Sequence, residues 1–266
     1  MCCGTGIWKT RNGQNGACSE CLPGPPVPDG IWDCSANGDI SLDLKGKNAQ
    51  ICTSWTTEGS CEFKQKDLRA MQANLQSSGC DGLWAAPLWM VGRSWALPQS
   101  ATGEIDFFER GCVPGAGYIL SFGAEDKNIL KDAWGEQGKA EAATALTAYM
   151  TFDPTADNID VYLCPLNSNP IQVGPAAAGC TKTRTHANYY HDTAHQTNNG
   201  EEYMALVSDV WNACPKLNCG KKPNITSSEC NFSVTDIKLQ FSQESTASGS
   251  PFLNNNPVCN PLWHKA

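Results

Sequence analysis

An all-β sandwich is the architecture expected of this chain, for three reasons. Short apolar runs of strand length recur from Ile31 onward, turn-forming clusters punctuate them, and no segment sustains the pattern of a long helix. Residues 1–29 come first and are rich in Gly, Pro and Cys (CLPGPPVPDG), which reads as an extension rather than a core element. The runs DISLDL, QICTSW, GLWAAPLWMV, GEIDFFE, GYILSFG, LTAYMTF, NIDVYL, EYMALVSDVW and FSVTDIKLQF are each expected to form a strand. NG, SG, PG, NN and DPTADN supply the breaks between them. KDAWGEQGKAEAATAL has helical propensity, but its two glycines and the β-like run after it argue against a long helix. These divisions give an extension over 1–29, a principal domain over 30–243 and a tail over 244–266.

The 15 cysteines, spread from Cys2 to Cys259, indicate an oxidising compartment. The sequons at Asn224 and Asn231 fit a secretory route, so an extracellular, glycosylated protein is expected. The opening MCCGTGIWKTRNG has no apolar signal region, so the chain reads as a mature form or fragment whose leader is missing. Zinc is the alternative use of Cys18-x-x-Cys21 and Cys214-x4-Cys219, but no second close pair follows at ribbon spacing, and disulfides are expected. His186, His191 and His195 lie among Asn, Thr and Tyr residues that suit a solvated loop better than a metal centre. A net charge of −8 disfavours nucleic acid and anionic membranes, and no apolar run has membrane-spanning length. A neutral, polyhydroxylated partner is favoured, with no cofactor and the chain acting as a monomer.

The segment Gly103-Glu104-Ile105-Asp106-Phe107-Phe108-Glu109 carries the chemistry. Alternate residues of a strand share a face, so Glu104 and Asp106 point together, whereas a regular strand would turn Glu109 to the other side. A single β-bulge near Phe107-Phe108 would return Glu109 to the acidic face and leave Ile105 and the aromatic pair toward the core. Carboxylates held together repel, and at least one proton affinity should rise. Glycosidase chemistry uses that split, with one carboxylate ionised as nucleophile and another protonated as acid.

Around the motif the chain resembles glycoside hydrolase family 16, in its laminarinase-like branch. The resemblance rests on Gly82-Leu83-Trp84-Ala85-Ala86-Pro87-Leu88-Trp89, followed by the E-I-D-F-F-E run from Glu104 to Glu109. It extends over roughly residues 60–242, taking in QANLQSSGCDGLW, FDPTADNIDVYLC, EYMALVSDVW and CNFSVTDIKLQF. It implies a β-jelly-roll sandwich of two antiparallel sheets with a concave substrate cleft. It further implies Glu104 as nucleophile, Asp106 as its helper and Glu109 as general acid/base, retaining hydrolysis of internal β-1,3 or mixed β-1,3/1,4 glucan links. The chain departs from the family pattern in four places. Trp84 and Trp89 stand five apart rather than four, Asn74 replaces an arginine, Phe152 replaces a tryptophan, and Ser121-Phe122-Gly123 replaces a His-Tyr-Gly stretch.

Aromatic rings pack against the C–H face of a pyranose, so Trp89 and Trp95 are candidate substrate contacts, while Trp84 suits the core. For Trp89, core and cleft floor are both open. Arg110 follows Glu109 directly and should face away from it. Two other functions stay open: a transglycosylase using the same glycosyl-enzyme, and a β-glucan-binding protein without turnover.

Overall fold

The structure, a computed structural model, describes residues 9–10, 32–34, 38–43, 52–56, 62–78, 84–92, 104–110, 117–118, 145–187, 201, 203–211, 231–242 and 263–264. Among them, fifteen strands form two sheets. In chain order they are β1 (Lys9–Thr10), β2 (Trp32–Cys34), β3 (Ile40–Asp43), β4 (Cys52–Thr56), β5 (Phe63–Lys64), β6 (Leu68–Ser78), β7 (Trp84–Gly92) and β8 (Glu104–Arg110). They continue with β9 (Gly117–Tyr118), β10 (Ala145–Asp153), β11 (Asn158–Cys164), β12 (Thr181–Ala187), β13 (Tyr203–Trp211), β14 (Asn231–Phe241) and β15 (Trp263–His264).

The seven-stranded sheet runs β1-β4-β13-β7-β8-β9, with β5 also on β13. The eight-stranded sheet runs β12-β11-β10-β6-β14-β3-β2, with β15 parallel to β14 and all other pairings antiparallel. Lys9 and Thr10, inside the expected extension, join the seven-stranded sheet opposite Thr56 and Trp55. Strands distant in sequence therefore lie side by side, which is how a jelly roll closes its two layers. The helical content described is a 3-10 turn over Gln65–Asp67 and one turn of α-helix, α1 (Pro170–Val173), and among the described residues no helix is long and apolar enough to cross a membrane.

The core lies between the sheets. In the eight-stranded sheet Met71, Ala73 and Leu75 stand opposite Met150, Ala148 and Leu146, all buried. Val234 and Leu239 of β14 extend the same surface from the other side of β6. The seven-stranded sheet contributes Leu88, Met90, Ile105, Phe107, Met204 and Leu206. Phe63 of one sheet meets Phe241 of the other edge to face, with ring centroids 5.5 Å apart. Each of the larger apolar side chains stabilises the fold by about 1.5–3 kcal/mol through burial.

β6 is buried on both faces because a strap over 165–180 covers the outward side of its sheet. Gln72 donates to Asp236 Oδ2 at 3.0 Å and accepts from the Ile171 backbone N–H at 3.1 Å. Asn74 donates to Asn167 Oδ1 at 3.1 Å and accepts from the Thr147 hydroxyl at 2.6 Å. Ile171 packs into a second small cluster with Ala70, Tyr149 and Cys164. A Cys164–Cys180 disulfide ties the strap's ends, and Gly174, at φ +84°, terminates α1. The β10–β11 turn is equally local: the Asp153 carboxylate accepts from the Thr155 and Ala156 N–H groups, both at 2.9 Å. Asp157 there takes a left-handed φ of 55°, which aspartate tolerates well.

Candidate active site

β8 carries the acidic motif between β7 and β9. Its ladder with β7 pairs Glu104 with Val91, Ile105 with Met90 and Asp106 with Trp89. The next pair is Phe108 with Leu88, so β8 advances two residues where β7 advances one. Phe107 is thus the extra residue of a β-bulge. Directly opposed residues share a face, and successive residues alternate. Ile105, Phe107, Met90 and Leu88 are fully buried, which marks that side as the core. By register, Glu104 and Asp106 fall on the outward side. After the bulge Glu109 falls there too, opposite Tyr118 of β9. Arg110 pairs with Ala85 and Gly117, on the other parity, as expected.

A second bulge lies in β7. Between Ala85 and Leu88 that strand advances three residues while β8 advances two, from Arg110 to Phe108. The ladder with β13 shows the same excess, pairing Trp89 with Val207 but Ala86 with Asp209. Proline cannot donate a ladder hydrogen bond and is accommodated within sheets at bulges, so Pro87 accounts for the irregularity. The added residue also explains why Trp84 and Trp89 stand five apart.

Trp89 shares the register of Asp106 and Val207, yet it is only 3% exposed. Its register is that of the outward face and its burial is that of the core. Trp84 stands opposite Trp211, on the outward parity of β13, so its register differs from the core side expected of it, because the added residue in β7 shifts its phase. Trp95 and Ser121-Phe122-Gly123 lie outside the described residues. Asn74 and Phe152 are both in the eight-stranded sheet, Asn74 under the strap and Phe152 in the core opposite Ile159. Those two departures from the family pattern therefore concern packing away from the acids.

At the Glu104 end of the sheet, Lys64 pairs with Tyr203, and Met204 with Gly92. Glu201 there binds Lys66 and Lys64, the latter at 2.9 Å. Hydrogen bonds from Lys66 and then Lys64 hold the Glu201 carboxyl below its ordinary range. His186 belongs to β12, opposite Ile159, rather than to a loop; His191 and His195 lie outside the described residues. No group of three or more metal-binding side chains occurs among the described residues. Tyr118 was not singled out in the sequence, because only the β8–β9 pairing reveals it as the neighbour of Glu109.

Two antiparallel sheets packed face to face, with the acid-bearing strand inside one of them, define a β-jelly-roll sandwich. The laminarinase from Flavobacterium sp. UMI-01 has this fold: it is 16% identical, with a TM-score of 0.52 over 88% of this chain and 92% of that one. The catalytic domain of an endo-1,3-β-glucanase (laminarinase) from Thermotoga petrophila RKU-1 is 14% identical, with a TM-score of 0.50 over 89% and 90% of the two chains. The laminarinase catalytic domain from Thermotoga maritima MSB8 is likewise 14% identical, with a TM-score of 0.50 over 86% and 88%. At these identities the likeness shows the fold. No protein-family model matches the sequence, and no curated protein matches it.

Proposed function

We propose that this chain is a secreted, retaining endo-β-glycanase acting on internal β-1,3 or mixed β-1,3/1,4 links of a neutral β-glucan. The observation that carries the proposal is the bulge at Phe107, which brings Glu104, Asp106 and Glu109 into one register phase. The fold shared with laminarinases supports it.

Across four effective strand steps, the Cα atoms of Glu104 and Glu109 are separated by roughly 13 Å. Two converging glutamate side chains can reduce that to the ~5–5.5 Å between carboxyls that a retaining mechanism needs. Glu104 attacks the anomeric carbon while Glu109 protonates the departing glycosidic oxygen. The glycosyl-enzyme is then hydrolysed by a water that Glu109 deprotonates, restoring both groups. Asp106, between them, carries a proton that it donates in a hydrogen bond to the ionised nucleophile, and the one negative charge that this pair shares favours the proton on Glu109. No cofactor takes part.

A hydrolysis screen over laminarin, lichenan, agarose and xyloglucan, with products followed by NMR and mass spectrometry, tests this. Shortened β-anomeric products from laminarin or lichenan are expected. Products longer than the starting oligosaccharide would mean transfer instead, and binding without turnover would leave a recognition protein.

A further inference from the structure

The β13–β7 ladder places more than hydrophobic filler beside the acids. β13 buries Met204, Leu206 and Ser208, so its intervening residues fall on the outward side by alternation. Val207 confirms the phase through its pairing with Trp89, itself opposite Asp106. Because β7 carries its extra residue just there, Ala86 comes opposite Asp209 and Trp84 comes opposite Trp211. The outward face therefore has consecutive rows across the strands. One contains Asp106, Trp89 and Val207; the next contains Tyr118, Glu109, Ala86 and Asp209; the last contains Trp84 and Trp211.

Asp209 lies two strand spacings from Glu109, roughly 10 Å between Cα atoms, with Ala86 of β7 at the intervening register position. An aspartate whose register position neighbours those of two tryptophans offers the residue types that suit a sugar ring. Its C–H face packs on an aromatic surface, and its hydroxyls donate to the carboxylate. We infer that Asp209 and Trp211 of β13, with Trp84 of β7, form a subsite for one neutral sugar ring of the glucan, on the side of Glu109 away from Glu104. The inference rests on the glycanase reading and extends it to residues that the acidic motif does not include. Asp209 is here a substrate-positioning residue, not a proton-transfer group.

The test uses the full chain carrying Glu104→Gln, so that oligosaccharides bind without turnover. Laminarin- and lichenan-derived oligosaccharides are titrated by calorimetry into this parent and into versions that add Asp209→Asn or Trp211→Ala, with thermal unfolding measured on each. Asp209→Asn is expected to weaken binding roughly 10-fold, the scale of one charge-assisted hydrogen bond, with little change in melting temperature. Trp211→Ala should weaken it at least as much, and the pair should be less than additive because both contact one ring. Folded variants that bind within twofold of the parent overturn the subsite, as does a lowered melting temperature with unchanged affinity, which would mark cross-strand packing alone. Should Asp209→Asn fail to fold, Trp211→Ala decides by the same criteria. A parent that binds no member of either panel would remove the glycanase reading as well, so the two failures are distinguishable.

Discussion

Glu104 and Asp106 are two residues apart on one strand, about 6.6 Å along it, and Asp106 stands between the two glutamates. On the proposed reading, repulsion among the three carboxylates is what would divide them into an acid and a nucleophile. Glu104→Gln and Glu109→Gln are each expected to lower kcat/KM by about 10³-fold or more, while the melting temperature stays nearly constant, because both lie outside the core phase. Azide should restore turnover of activated aryl glycosides to Glu109→Ala, since a small anion can attack the glycosyl-enzyme without a general base. Full activity in Glu104→Gln would remove the nucleophile assignment. Glu201 offers a pH-dependent prediction at the same scale. Its folded proton affinity is depressed by Lys66 and Lys64, so its contribution is present above the ordinary carboxylate range and is lost as pH falls through the folded value. The pairs are partly exposed, which keeps that contribution below about 1 kcal/mol. Stability measured at pH 6 and again near pH 3 should show the difference between the native chain and Glu201→Gln shrinking in acid. The acids were legible in the sequence because an odd five-residue spacing within a strand demands a bulge. The depth of Trp89 was not, since it depends on β13 and β8 closing over both sides of β7.

At the level of the strand, β7 and β8 each carry one added residue, and the two additions have different origins. In β8 the added residue is apolar, and Phe107 joins Ile105 in the core. In β7 it follows from a proline that cannot serve a regular ladder. Phase arithmetic then predicts an asymmetry. Deleting Phe107 leaves E-I-D-F-E, a regular strand in which the second glutamate is again in phase. Inserting one alanine after Phe108 puts that glutamate on the core side if the bulge is kept, and six strand steps, roughly 20 Å, from Glu104 if the bulge is lost. The deletion should retain measurable activity while losing a few kcal/mol of burial, and the insertion should abolish activity. Equal activity in the two variants, measured on soluble laminarin, would refute the register. Strands with clear apolar content, such as β10, β11 and β14, were readable in advance. β12 was not, because Thr181–Ala187 is an exposed edge strand whose lysine and arginine resemble a loop. β6 was found only through the family resemblance, because Gln72 and Asn74 are hidden beneath the strap and blur its alternation.

For the molecule as a whole, the sandwich and its single acidic strand followed from the sequence, but the order of strands did not. β13 reaches β7 and β4 from far along the chain, and β14 inserts between β6 and β3. Such pairings are set by which faces can be buried together, information that no local run contains. Cysteine content pointed to disulfides without naming partners, and Cys164–Cys180 is a pairing that only the strap makes evident. Removing it by Cys164→Ser with Cys180→Ser should cost about 3 kcal/mol, given its 16-residue separation. Glucan hydrolysis at temperatures well below unfolding should be unchanged, because the strap covers the outward side of the other sheet. Denaturant titration and initial rates on the same preparation would check both halves of that expectation.

The strap also gives the molecule a front and a back. One sheet keeps its outer surface for the acids, while the other is roofed by a short covalently closed segment whose crest includes exposed Ala176 and Ala177. Cargo grafted at that crest, whether a peptide tag, a fluorophore or a tether to a solid support, would ride on the far side and leave the acid-bearing sheet uncovered.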